Sequence, residues 1–131
     1  MMVAYVYRNI LEKLDFGRAH HRVLHFVDRK PGLTVAELLD LLGITKQSLA
    51  RVLKQLIDGQ YVEQREGPID RRQRELYMTA SGHVLIKQLR EPQSRRIRKA
   101  IIHADQGPAE IARFLRSMIG ERAKRQIATL E

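Results

Sequence analysis

The sequence predicts a mainly α-helical chain with one two-stranded β wing, a helix-turn-helix core carrying further helices at both ends. Three observations carry this expectation. Apolar residues recur at helical spacing over most of the 131 residues. Two of the helical stretches have N-cap signals and are separated by Gly43-Ile44 alone. A turn rich in Gly, Pro and Asp joins two short β-prone runs, 61–65 and 74–78.

Val3, Tyr7, Ile10, Leu11 and Leu14 make the first apolar stripe, ended by Phe16-Gly17. A second helix runs from Arg18 to Asp28 with Ala19, Val23, Phe26 and Val27 on one side, and Lys30-Pro31-Gly32 turns the chain. Thr34-Val35-Ala36-Glu37 reads as a capping box, in which the Thr34 hydroxyl satisfies a free N–H of the first turn and Glu37 reaches back. That helix carries Leu38, Leu39, Leu41 and Leu42 and stops at Gly43, after which Thr45 is the next N-cap. Two capped helices joined by so short a glycine turn are a helix-turn-helix signature.

The second helix of the pair, 45–58, buries Leu49, Val52, Leu53, Leu56 and Ile57, a regular stripe at i, i+3, i+4, i+7 and i+8. Its opposite face presents Gln47, Arg51, Lys54 and Asp58, flanked by Ser48 and Gln55. Gly59 is expected to close the turn into the wing. Thr79 caps a long helix lined by Leu85, Leu89, Ile97 and Ile101, with Pro92 inside it as a kink or break. After a loop at 105–107, Pro108 opens a single last helix carrying Ile111, Phe114, Leu115, Met118, Ile119, Ile127 and Leu130.

Composition narrows the function. The formal charge is +9 and the pI about 10.4, which favours a polyanionic partner, nucleic acid first. Position matters as much as amount. Residues 1–43 carry 6 basic and 5 acidic groups, 44–79 carry 7 and 5, and 80–131 carry 11 and 5. The excess therefore sits mostly outside the helix-turn-helix and wing. With no cysteine, disulfides, thiolate zinc sites and thiol-based sensing are excluded. No apolar run approaches the roughly 18 residues of a membrane helix, and no signal-peptide pattern opens the chain, so a cytoplasmic protein without a membrane partner is expected. Nucleophile–base pairs, phosphate-cradling glycine loops and paired acids are missing too, which argues against an enzyme, and no cofactor is expected.

An exposed polar helix face beside a basic hairpin suits two adjacent grooves of duplex DNA. Taken alone, that face is what any solvated helix presents; the capped turn before it and the arginine-rich hairpin after it favour DNA. On the helix, Gln47 suits adenine and Arg51 guanine through paired hydrogen bonds. Lys46 and Lys54 suit phosphates, and Thr45 and Ser48 with the helix N-terminal amides bind phosphate without a charge. At the wing, Arg72 suits a narrow, electronegative minor groove. The Asp70 carboxylate either holds that guanidinium in one rotamer or satisfies its own turn backbone, and the two are compatible. Arg71 and Arg74 face phosphate or solvent. The run Arg95-Arg96-Ile97-Arg98-Lys99 reads as a solvated helix face over a buried Ile97.

His20, His21 and His25 cluster on the second helix. His21 and His25 stand i, i+4, a spacing that metal sites use, but the sequence places no matching carboxylate or thiolate, and no metal is expected. The end helices each have an apolar stripe that must be buried. They are too small to be an independent domain; they either fold back on their own core or, as expected here, build a homodimer in which 1–16 and 83–131 intertwine with a second copy while 17–82 forms the DNA-binding lobe of a single domain.

Element order and residues together resemble the MarR family of bacterial regulators, over residues 4–131 and most strongly from Thr34 to Gly82. The recognition-helix pattern reads Thr45-Lys46-Gln47-Ser48, then Leu49, Arg51, Val52 and Leu56. The wing pattern reads Asp70-Arg71-Arg72, then Leu76-Tyr77-Met78-Thr79-Ala80-Ser81-Gly82. The opening Gly17-Arg18-Ala19-His20-His21-Arg22 is similar to regulators of the PetP type from photosynthetic bacteria. The resemblance implies a winged helix-turn-helix dimer built through its end helices, a sequence-specific transcriptional regulator and repressor on a pseudo-palindromic operator. Helix 45–58 would enter the major groove and the wing, 61–78, the minor groove, with Arg72 at the wing tip and Asp70 the acid that orients it. It also implies a pocket for a small anionic or aromatic effector near His21 and His25, where the dimer and DNA-binding parts meet. A non-specific architectural protein that coats DNA is the alternative. Two departures stand out: the family has Gly where Gln60 stands, and Pro92 interrupts a helix that is usually continuous.

Overall fold

The computed structural model describes residues 2–131, with side chains from Tyr5 onward; Val3 of the first stripe lies outside the described side chains. Seven helices and three strands follow one another: α1 (Met2–Lys13), α2 (Arg18–Arg29), β1 (Leu33–Thr34), α3 (Val35–Leu42), α4 (Lys46–Asp58), β2 (Val62–Glu66), β3 (Arg74–Met78), α5 (Ala80–Ala104), α6 (Pro108–Ser117) and α7 (Glu121–Leu130). The fold class is as expected, mainly helical with a β wing.

The core is one cluster centred on α2. Its Val23, Leu24 and Val27 are fully buried, and around them pack Leu38 of α3, Leu49, Val52 and Leu56 of α4, Leu76 of β3, and Leu85, Ile86 and Leu89 of α5. Burying an aliphatic side chain of this size contributes roughly 1.5–3 kcal/mol against leaving it in water. Of the expected stripes, Leu38 and Leu42 of α3 and Leu49, Val52, Leu53 and Leu56 of α4 are buried, while Leu39, Leu41 and Ile57 are half-buried against them.

The caps behave as their chemistry dictates. Thr34 Oγ1 accepts the Glu37 N–H at 3.1 Å and Glu37 Oε2 accepts the Thr34 N–H at 2.9 Å. That backbone bond holds the Glu37 carboxyl below its usual range; partial burial opposes it, and Lys30, 3.3 Å away, reinforces it. Thr45 and Thr79 each accept an N–H three residues on, from Ser48 and Gly82. Gly82 is required for a second reason: a Cβ there would collide with the Tyr61 carbonyl oxygen. The motif glycine thus lets α5 start directly against the foot of the wing.

Three expectations change. First, the wing sheet has three strands, in the order β1-β3-β2, all antiparallel. Leu33 pairs with Leu76 and Thr34 with Glu75, and the Gly32 N–H donates to the Leu76 carbonyl at 2.9 Å. Two residues are too few for a strand signal in sequence; the returning wing strand supplies the partner. Second, the last helix is two, because the chain turns at Met118–Gly120 and Gly120 caps the start of α7. Third, α5 runs through Pro92 without a break. A proline deletes one N–H bond and crowds the preceding turn, and in a 25-residue helix the other bonds keep the helix continuous past it, so of the kink or break expected the break does not occur.

The α4–β2 turn also closes differently from expectation. Gly59 is right-handed, with φ −77°, and the left-handed residue is Gln60, with φ +63°. The Gln60 N–H donates to the Ile57 carbonyl and the Tyr61 N–H to the Leu56 carbonyl, both at 2.9 Å. This pair of bonds defines a Schellman C-cap with Gln at the position glycine normally takes. An L-residue in that region costs about 1–2 kcal/mol. Gln60→Gly is therefore expected to raise the unfolding free energy by about 1 kcal/mol, part of the relief being offset by the greater freedom of glycine in the unfolded chain. Urea titrations of the two proteins decide this; an unchanged or lower midpoint would show that the left-handed turn carries no strain.

Candidate nucleic-acid interface

The expected reader helix is α4, presented at the surface by the turn that its N-cap fixes. The Thr45 hydroxyl both accepts the Ser48 N–H and donates to Ser48 Oγ at 2.9 Å. The two hydroxyls are thus tied to each other at the helix start. Lys46, Gln47, Arg51 and Lys54 are exposed, and Ser48 is half-buried. Among the described residues, the side chains of Lys46, Gln47 and Arg51 make no hydrogen bond or ion pair, while Lys54 is paired with Asp58 at 2.7 Å. Gln47 and Arg51 are accordingly free to meet a ligand. Lys54 must exchange Asp58 for phosphate, a small cost for an exposed pair.

The wing places Asp70, Arg71, Arg72 and Arg74 in solvent. Its loop is closed by its own backbone: the Gly67 N–H donates to the Gln73 carbonyl at 2.7 Å and the Gln73 N–H to the Asp70 carbonyl at 3.0 Å. Asp70 Oδ1 accepts the backbone N–H of Arg72 at 2.9 Å. The Asp70 carboxylate therefore does not hold the Arg72 guanidinium. Of the two roles expected for Asp70, the structure carries the turn role, and through it fixes the backbone from which Arg72 projects. At the wing's base the Arg65 guanidinium lies over the Tyr77 ring, 4.2 Å from its centroid, and the Tyr77 hydroxyl donates to Glu75 at 2.8 Å. These contacts stiffen the strands behind the loop.

His21 and His25 line a common cavity of about 370 Å³ between α2 and α5, together with Arg22, Phe26, Arg90 and Ile97. Tyr7 of α1 and His21 Nδ1 share a hydrogen bond of 2.9 Å. Burial, the neighbouring His25 and Arg90 push the His21 pKa down, and partial burial and Arg90 push His25 the same way. His25 is the more exposed of the two, so water screens its shift more strongly. Asp28, the nearest acid in sequence, meets His83 at 3.2 Å and Arg90 at 2.9 Å, and its charge partly offsets the downward push on His25. Tyr7, His83 and Arg90 carry no site signal in the sequence, because α1 and α5 reach this place only through tertiary packing. His20 stands apart from the other two histidines, buried at 7% exposure and bonded to Gln55 of α4.

Comparison with known proteins agrees with this geometry. Residues 14–73 match the model of the MarR family. The HTH-type transcriptional regulator PetP of Rhodobacter capsulatus is 51% identical over 105 residues, which are 80% of this chain; the chain spans 62% of that protein's length. The transcriptional regulator Tm0710 of Thermotoga maritima superposes with a TM-score of 0.64 at 25% identity, over 89% of this chain and 81% of that one. A mutant MarR from E. coli, crystallised in complex with operator DNA, gives 0.63 at 21% identity, over 91% and 89%, a likeness of fold.

The histidine pair has a consequence for pH dependence. Both have their pKa lowered in the folded chain, whereas the unfolded chain protonates them near pH ~6.5. Below that pH the unfolded state binds more protons, so stability falls as pH drops until the depressed folded values are reached. The urea midpoint is expected to decline between about pH 7.5 and about pH 5.5, less so in a His21→Asn, His25→Asn double variant. Equal declines in both proteins would remove the pair from the account.

Proposed function

The chain belongs to the MarR family, and from that premise we propose that it is a homodimeric, sequence-specific DNA-binding regulator of transcription, acting as a repressor on a pseudo-palindromic operator. The observation that carries this reading is the pairing of an N-capped, exposed α4, whose Gln47 and Arg51 are uncommitted, with a backbone-locked wing tip bearing Arg72. Helix 45–58 would read the major groove, with Gln47 and Arg51 on base edges and Lys46, Lys54, Thr45 and Ser48 on phosphates. The wing, 61–78, would lay Arg72 in the minor groove, with Arg71 and Arg74 on the backbone. PetP is named a transcriptional regulator, and the E. coli MarR structure holds operator DNA; both support the reading.

Residues 17–82 serve in this proposal as the DNA-binding lobe, and 1–16 and 83–131 as dimerisation helices. Among the described residues, α6 and α7 have no fully buried side chain within one chain, and Phe114 and Met118 are 65% and 70% exposed. Contiguous apolar faces of this kind call for a second copy. The cavity at His21 and His25, with Arg22 and Arg90 beside it, would take a small anionic or aromatic effector. Such a ligand releases DNA only if it binds the DNA-incompetent spacing of the lobes more tightly.

Selection of bound sequences from a random DNA pool should return a pseudo-palindrome with half-sites about one helical turn apart. On that site Arg51→Ala is expected to relax preference at one symmetric pair of positions. Lys54→Ala should weaken all sequences alike and shallow the salt dependence by about one unit of slope. Recovery of no preferred sequence would favour the architectural alternative.

The wing gives a sharper test. Arg72→Ala should cost roughly 1–3 kcal/mol of DNA affinity. Asp70→Asn keeps an oxygen acceptor for the Arg72 N–H and removes a negative charge facing DNA, so it should bind at least as tightly as the parent. Asp70→Ala loses the acceptor and should bind more weakly than Asp70→Asn. Equal affinity of the Ala and Asn variants at one salt concentration would show that the turn does not position Arg72.

A further inference from the structure

Among the described residues, His20 is the one buried polar side chain, and the groove contacts have no use for it. Both of its ring nitrogens are committed. The Gly17 N–H donates to Nδ1 at 2.9 Å, so that nitrogen carries no proton. The proton is therefore on Nε2, which donates to Oε1 of Gln55, 2.6 Å away and 35 residues on. The ring plane is fixed as well. Phe16 stacks on it, with centroids 4.5 Å apart and planes 10° apart, and Tyr61 meets Phe16 edge-on at 5.7 Å. Three parts of the fold converge on this ring: the α1–α2 corner through Phe16 and Gly17, the foot of the wing through Tyr61, and α4 through Gln55.

Gln55 is the half-buried flank of the helix face that carries Arg51 and Lys54. The leucines and valines of α4 hold it against the core, but apolar packing is non-directional and tolerates small rotations of a helix about its axis. A directed hydrogen bond from a ring that cannot turn removes that freedom. We propose that His20 is a positioning residue for DNA reading, which sets the rotation of α4 through Gln55 and so aims Gln47 and Arg51. The proposal rests on the reading of α4 as the recognition helix. Through Phe16 and Gly17 the same ring ties the aim of α4 to the corner from which α1 departs, so a change in the set of α1 reaches the reading face by one bond.

The test compares the parent with Gln55→Leu, Gln55→Glu, His20→Leu and the His20→Leu, Gln55→Leu pair. Gln55→Leu leaves the His20 cap on α2 intact and removes only the bond to α4. Gln55→Glu retains an acceptor for Nε2–H. For each protein one measures affinity for the selected site and for random DNA, the salt slope, and amide exchange along α4. Gln55→Leu and His20→Leu should lose roughly 3- to 10-fold on the selected site, the worth of one hydrogen bond, with random-DNA affinity and salt slope within about two-fold of the parent. The double variant should lose no more than either single one, and exchange should quicken in α4. Gln55→Glu, which adds a negative charge, should weaken both DNAs alike and keep the parent's ratio between them.

A loss shared equally by selected and random DNA would mean that His20 serves stability alone and would overturn the proposal. So would a loss in Gln55→Leu without one in His20→Leu, because Gln55 would then be touching DNA itself. A parent that does not distinguish the two DNAs would instead sink the regulatory reading. In that case α4 exchange unchanged by His20→Leu would show separately that the bond does not hold the helix.

Discussion

Everything in the proposed DNA-binding lobe leans on one face of α2. Val23, Leu24 and Val27 are wholly buried, and α3, α4, β3 and α5 each pack against them. A helix that serves four neighbours at once leaves no room for a change in volume. Truncating such a leucine leaves both lost transfer energy and a cavity, together about 2–5 kcal/mol, a large share of what a small domain has. The same face also joins α4 and the wing through one shared core. β1 begins beside α2, pairs Leu33 with Leu76 of the wing, and hands directly to the N-cap of α3.

Local chemistry was legible in the sequence wherever the partner lies within a turn. The Thr34–Glu37 box, the Thr45 and Thr79 caps and the buried stripe of α4 depend on residues a few positions apart, the two long wing strands on a single turn between them, and all appear where expected. What escaped depends on distant partners. β1 is a strand only because Leu76 returns beside it. The cavity at His21 and His25 draws Arg90 from α5, and the contact of Tyr7 with His21 comes from α1. His20 and Gln55 were both visible as polar residues, one in a histidine cluster and one on a helix flank, but nothing in a linear pattern joins positions 35 apart. The break between α6 and α7 is different: Gly120 marked it, and an unbroken apolar spacing concealed it.

Charge is arranged in two ways. Many of the arginines beyond the wing are paired at the surface, Arg95 and Arg98 with Glu91, Arg116 with Glu131, and Arg122 with Asp40. Exposed pairs of this kind contribute little to stability. Arg51, Arg71, Arg72 and Arg74 have no acidic partner among the described residues. The α4 face and the wing tip, where the excess is smaller, thus keep most of their cations uncommitted. The +9 of the whole chain raises the rate of encounter with a polyanion, and the uncommitted side chains determine what happens on contact.

The wing tip separates two kinds of cost. Its loop is held by bonds among Gly67, Asp70, Arg72 and Gln73 that use backbone groups and one carboxylate, while Ile69, Arg71 and the Arg72 guanidinium project into water, Ile69 with 99% of its surface exposed. Replacing an outward side chain there changes what the protein touches and leaves the energy of folding nearly untouched. On the proposed reading of the wing, a lineage carrying this loop is free to change what positions 69 and 71 touch while its core stays fixed, because those side chains answer to binding and not to folding.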